Sequence, residues 1–266
     1  MRNLKKLSIL AIILLVVGVT GGVITFASSD RSDIFESEVF PEDGVEKVDI
    51  QLNNQKMNIK PSQSSEVIVE LEGKGNRPDK NRLHAEMQGD KLIIETKAHD
   101  EKLFRFFDWG DRLTLTVYLP DKEFASIQLD VDNGSINAEQ INSTDIVAET
   151  NNGKIMMENI LSERVNVESN NGKITLHNVE GELNGKTNNG AISLVTESLD
   201  RSIQLGSDNG KIKIETNEEP TNVTFDVRVD NGKIDIFGNS DWDTVVGDGE
   251  NRVKLTTHNG SITVSH

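Results

Sequence analysis

Beyond residue 45, apolar residues alternate with polar ones along most of the chain, and one dipeptide punctuates the alternation. Asn-Gly occurs eight times, and seven of these share one flanking pattern: Asn133-Gly134, Asn152-Gly153, Asn171-Gly172, Asn189-Gly190, Asn209-Gly210, Asn231-Gly232 and Asn259-Gly260. Successive glycines lie 19, 19, 18, 20, 22 and 28 residues apart. After each Gly comes one small or cationic residue, then two apolar residues with one position between them, as in Ile155 and Met157, Ile174 and Leu176, or Ile212 and Ile214. That spacing puts both apolar side chains on the same face of a strand. A second alternating run precedes most of the pairs, as in Val165 and Val167 or Val227 and Val229. Each unit therefore reads strand, Asn-Gly turn, strand.

Two architectures accommodate the unit. Asn-Gly between alternating runs is a strong hairpin signal, because both residues tolerate positive φ. A fixed period near 19 residues is also what a solenoid produces, with each corner lying over the one before and identical side chains about 4.8 Å apart. The period favours the second, an all-β, parallel β-helix-like solenoid spanning 121–266. Residues 45–120 are less regular but still β, with strands expected at 45–50, 56–60, 67–71, 92–95 and 113–119. Within them, Asn53-Asn54-Gln55-Lys56-Met57 resembles a worn copy of Asn151-Asn152-Gly153-Lys154-Ile155. The region is expected to continue or cap the stack. Residues 28–44, polar and mostly acidic, read as a tether.

Leu7 to Ala27 are 21 uncharged residues, preceded by Arg2, Lys5 and Lys6 and followed by Asp30, Asp33 and Glu36. At a rise of about 1.5 Å per residue they match the thickness of a bilayer core. The basic residues 1–6 then stay in the cytoplasm and the acidic bulk crosses, which predicts a single-pass signal anchor with an extracytoplasmic C-terminal part. A cleaved signal peptide is the competing reading, with Thr25 and Ala27 as a tolerable cleavage site. A formal net charge of −16 argues against nucleic-acid binding. With no Cys, disulfides, thiolate zinc sites and Cys nucleophiles are excluded.

The N-terminal apolar segment, the Asn-Gly-Lys-Ile units and the closing run from Gly247 through Val253-Lys254-Leu255 to Asn259-Gly260-Ser261-Ile262 together resemble the putative-adhesin family of β-strand-repeat envelope proteins. Within it they are most similar to the LiaG-like membrane-anchored proteins associated with envelope stress. The resemblance covers residues 45–266 and implies a right-handed β-solenoid outside the membrane. It brings no catalytic residue with it.

The five histidines never take zinc or metalloprotease spacing, and no serine-hydrolase elbow, phosphate-cradling loop or dinucleotide fingerprint occurs. No cofactor, metal or nucleotide is expected. Asp208 and Asp230 each precede Asn-Gly in consecutive repeats. If those repeats stack directly, the carboxylates lie about 5 Å apart, where they share a proton, bind a cation or splay into solvent. Paired acids on a β-helix also keep an envelope polysaccharide lyase or hydrolase open as an alternative. Asp241-Trp242-Asp243 is a second acidic site suited to a cation or to sugar stacking. Lys154 with Lys173, and Lys211 with Lys233, are expected to form short cationic rows on one strand face, neutralised by nearby Glu149, Glu168 and Glu215 and read as solvated strand surface. The aromatic run Phe104 to Trp109 is expected to fold over an open end of the stack. The leading reading is a non-catalytic, adhesin-like interaction with an envelope polymer or a membrane protein; a structural spacer is a further alternative.

Overall fold

The computed structural model describes residues 32–75, 82–96, 112–240 and 243–266, and among these every regular element is a β-strand. The first part contains β1 (Ser32–Pro41), β2 (Lys47–Leu52), β3 (Lys56–Pro61), β4 (Glu66–Gly75), β5 (Leu83–Gln88), β6 (Lys91–Thr96) and β7 (Arg112–Leu119). The middle part contains β8 (Glu123–Val131), β9 (Ser135–Thr150), β10 (Lys154–Ser169), β11 (Ile174–Val179), β12 (Glu182–Asn189) and β13 (Ile192–Thr196). Then come β14 (Ile203–Asn209), β15 (Ile212–Thr216), β16 (Val223–Ile236), β17 (Asp243–Val246) and β18 (Asn251–Ser265).

Among the described residues no Asn-Gly pair joins two antiparallel strands. Instead β10 lies parallel to β9 with Ile155 opposite Ile136 and Val165 opposite Ile146, one repeat back. The same parallel step recurs from β10 to β11 and β12, and from these to β13 and β14. The hairpin alternative is therefore excluded, and the chain forms a β-solenoid-like stack. Ile155, Ile174, Ile192, Ile212 and Ile262 make one buried row; Val165, Leu183, Ile203 and Val253 make another. No coil can cover both of its edges and its apolar row alone, so stability comes from stacking.

The order in space is not the order in sequence. The coil of β2 and β3 lies between that of β6 and β7 on one side and that of β8 and β9 on the other. At the opposite end the last coil, β18, slides between the coil of β14 and β15 and that of β16. Both insertions place a strand with two hydrogen-bonding edges between two partners. Antiparallel strands then cover the outer coils: β5 pairs with β6, β4 with β7, β1 with β4, and β17 with β16. Residues 45–120 thus both continue and cap the stack. The tether expected over 28–44 is corrected in part, because Ser32 to Pro41 form β1. There Ile34 is buried, and the Glu36 carboxylate accepts the backbone N–H groups of Arg82 and Leu83. The aromatic run 104–109 and the apolar segment 7–27 lie outside the described residues.

Glycine at the corners answers to the stacking. None of the Asn-Gly residues takes a left-handed φ; that conformation falls at a different corner, on Gln140, Asn159 and Asn178 (φ 53, 55 and 51°). What the glycines need is space. A Cβ on Gly153, Gly172, Gly190, Gly210, Gly260 or Gly232 would overlap the carbonyl oxygen of the glycine in the adjoining coil. Gly172→Ala is therefore expected to destabilise the protein by about 2 kcal/mol or more, since backbone must shift to admit the methyl. Gly206→Ala, where a Cβ meets nothing within 4 Å, should stay within about 0.5 kcal/mol. Urea unfolding midpoints of the two variants test this, and equal midpoints would refute the packing argument.

Candidate binding edge

Because the coils stack in register, each position of the Asn-Gly corner becomes a column running the length of the molecule. The asparagine before each Gly donates its side-chain N–H to the side-chain oxygen of the next: Asn231 to Asn259 (3.1 Å), Asn259 to Asn209 (2.9 Å), Asn209 to Asn189 (3.0 Å) and Asn189 to Asn171 (2.9 Å). The series continues from Asn171 to Asn152 (2.9 Å), Asn152 to Asn133 (2.8 Å) and Asn133 to Asn54 (3.2 Å). Every bond points the same way, so each polarises the next. Inside the corner, the hydroxyls of Ser169, Thr187, Ser207 and Thr257 donate to the carbonyls of Gly153, Gly172, Gly190 and Gly210, at 3.4, 3.2, 3.0 and 3.0 Å. These buried Ser and Thr residues escaped the sequence reading, although superposing the seven pairs shows Ser, Thr or Val three places before each Gly.

One position earlier than the asparagine ladder runs a mixed column. Asn188 donates to Asn170 (3.1 Å), Asn170 to Asn151 (2.6 Å) and Asn151 to the Asp132 carboxylate (2.7 Å). Asp208 and Asp230 belong to this column, but not as neighbours. The inserted β18 places His258 between them, with Nδ1 3.3 Å from Asp208 and Nε2 3.9 Å from Asp230. The two ring nitrogens face opposite carboxylates, so the three groups do not converge on one point. The imidazole fills the space in which two acids would have shared a cation or straddled a sugar ring. The expectation of directly stacked carboxylates is thus corrected, and the physical reason is the out-of-order coil. Asp241 and Trp242 lie outside the described residues; Asp243 starts β17, without a described side chain.

Over part of the stack charge is sorted to the two sides of the ladder. On one side Asp130, Glu149 and Glu168 stack, and beyond Glu168 this column continues with Lys186, Gly206, Thr256 and Arg228. Asp130, Asp132 and Glu95 line a cleft of about 280 Å³ with Gln51, Leu52, Asn53 and Thr96. Burial, and then the charges of Asp132 and Asp49, raise the Asp130 carboxyl above its ordinary value. On the other side run Lys56, Ser135, Lys154, Lys173, Ala191, Lys211, Ser261 and Lys233. Lys154 and Lys173 are direct neighbours, as expected, while Ser261 separates Lys211 from Lys233. At the covered end, hydrogen bonding from Arg252 holds Asp226 below its ordinary value, helped by the charges of Arg228 and Lys254.

Comparison with known proteins places the chain in a wider group. The family model described as Toastrack DUF4097 matches residues 45–180 and 157–265. YvlB of Bacillus subtilis (strain 168), described as an uncharacterized protein, is 27% identical over 130 residues, covering 46% of this chain and 32% of YvlB. The chain thus aligns with about a third of that relative's length. Among solved structures, a "putative cell adhesion protein" from Clostridium sporogenes ATCC 15579 is 16% identical, with TM-score 0.40 over 89% of this chain and 99% of that one. A "putative adhesin" from Bacteroides fragilis NCTC 9343 is 11% identical, with TM-score 0.45 over 86% and 96%. None of these descriptions names an enzymatic activity.

Two outcomes follow from the corner chemistry. Asn171→Asp sets a carboxylate against the Asn152 oxygen where an N–H stood, and should cost about 1–3 kcal/mol at neutral pH, with partial recovery when acid protonates the new carboxyl. The Asp130 and Asp226 carboxylates should respond to pH with opposite signs. The raised Asp130 weakens folding as pH climbs from the unfolded carboxyl value, about 3.9, through its own higher one. Asp130→Asn should therefore stabilise the protein at pH 7 and be neutral in acid below the unfolded value. The lowered Asp226 contributes stability above the unfolded value that is lost as pH falls through its folded value. Asp226→Asn should accordingly destabilise at pH 7, with the difference closing in strong acid. Denaturation midpoints measured from acid to neutral pH check both signs.

Proposed function

Because the chain belongs to the Toastrack DUF4097 family, whose model spans nearly all of residues 45–265, we propose that it is a non-catalytic, adhesin-like binding protein of the cell envelope. In this reading residues 7–27 anchor it in the membrane as a single pass and a right-handed solenoid stands on the extracytoplasmic side. The observation that carries the proposal is the unbroken asparagine ladder from Asn231 to Asn54. It holds a row of exposed polar groups at strand spacing, about 4.8 Å, which suits a partner that is itself long and regular. Pre-ordering of that row by stacking lowers the entropy cost of docking on it. The names of the compared adhesion proteins agree with this reading, and the resemblance to LiaG-like proteins extends it to envelope stress.

A direct test sediments the full chain, held in uncharged detergent micelles, with isolated Gram-positive cell envelopes. The expected result is co-sedimentation that saturates with protein and releases no reducing sugar. Protein that stays in the supernatant at every envelope concentration overturns the binding function, and sugar release overturns its non-catalytic character.

A further inference from the structure

The lysine column on one side of the ladder is unusual for a chain of net charge −16. Lys56, Lys154, Lys173, Lys211 and Lys233 are all exposed. Among the described residues none of the five is in an ion pair, as is also true of Lys60, Lys186 and Lys254, whereas Lys47, Lys74, Lys91, Lys122 and Lys213 each meet a carboxylate. The column has a recess as well as a charge. Where Ser135 separates Lys56 from Lys154, the surface sinks into an open depression of about 420 Å³, with Gln55, Thr114 and Gly153 also on its walls. Two strand steps, about 9–10 Å, separate the backbones of Lys56 and Lys154. Flexible ammonium groups from both sides and the Ser135 hydroxyl can therefore meet one tetrahedral or planar oxyanion between them.

We propose that this edge binds a single linear polyanion, an envelope polymer carrying phosphate or carboxylate groups, with one anionic group in the Lys56–Ser135–Lys154 recess and others on Lys173, Lys211 and Lys233. The inference rests on the envelope-binding reading above and names its ligand class. A polymer fits better than a free ion because the recess is open and the cations recur over seven coil steps, about 34 Å. A single chain fits better than a nucleic-acid duplex. The second strand of a duplex would fall over the opposite face, where Asp130, Glu149 and Glu168 stack, while one thin chain meets only the lysines. Beside Lys154 and Lys173 the acids Glu149 and Glu168 confine the polymer to one side of the ladder, whereas farther along the same column carries Lys186, Gly206, Thr256 and Arg228.

The test titrates the full chain in uncharged micelles with fluorescently labelled polyphosphate and, separately, polygalacturonate, across a series of salt concentrations. The wild type should bind at least one of them, and the preferred polymer tells phosphate from carboxylate. The K56Q/K154Q/K173Q variant, altered only at exposed side chains, should bind about tenfold or more weakly, with its log–log salt slope lowered by about two. The K186Q variant, on the face carrying Glu149 and Glu168, should bind as the wild type does. Failure of both polymers to bind, equal loss in K186Q, an unchanged triple variant, or tighter binding of duplex DNA would each overturn the proposal. If the wild type still sediments with envelopes in any of those cases, the binding function stands and only the ligand class falls; if it does not, the function itself falls.

Discussion

The close approach of successive glycine backbones at the Asn-Gly corner is the constraint on which the rest depends. With no Cβ in the way, one coil's glycine lies against the carbonyl of the next, and the two neighbouring positions are drawn into register. On the inner side a Ser or Thr hydroxyl satisfies that carbonyl; on the outer side asparagine amides bond in a line. A buried carbonyl without a donor would cost more than the hydrogen bond itself is worth. Small inner residues, glycine and outer amides therefore form one interdependent motif. Thr150 shows what incomplete satisfaction looks like, because its hydroxyl is buried and has no partner.

A stack of parallel strands has two open edges, each a template for further pairing. This protein meets the problem by the same device at both ends. A sequence-terminal coil is tucked one place inward, and antiparallel strands then cover the coil left outermost. β1, β4 and β5 finish one end, and β17 covers Val223 to Asp226 of β16 at the other. Ion pairs between coils accompany both insertions: Lys47 with Asp90 and Lys91 with Asp49 at one end, Arg252 with Asp226 at the other. Register between the inserted coil and its neighbours is thus specified by charge as well as by the apolar rows.

Stacking also converts small biases of sequence into continuous surface features. A single lysine after a single glycine is an unremarkable solvated residue, but five in one column make a cationic line beside a neutral amide ladder, with acids beyond it over part of the stack. The same arithmetic explains why the global charge is a poor guide to this edge. Salt screens exposed charges over about 8–10 Å, so a group docked on the lysines responds chiefly to the local column.

The sequence by itself determined the repeat, the face of each strand and the composition of the corner, because period-two alternation and recurring Asn-Gly are local features that survive in any arrangement of the coils. Five of the seven upstream strands were legible for the same reason, including the worn copy at Asn53 to Met57, whereas β1, in the polar stretch that reads as a tether, and β5 were not. Only the tertiary structure decided which coil lies beside which. Each coil offers two edges with nearly identical hydrogen-bonding patterns, so sequence order does not say which edge a neighbour takes. His258 therefore came to stand between Asp208 and Asp230, and Ser261 between Lys211 and Lys233. The role of the glycines was hidden for a related reason: an Asn-Gly pair has the same letters whether it serves a left-handed turn or a close approach, and only the neighbouring coil distinguishes the two.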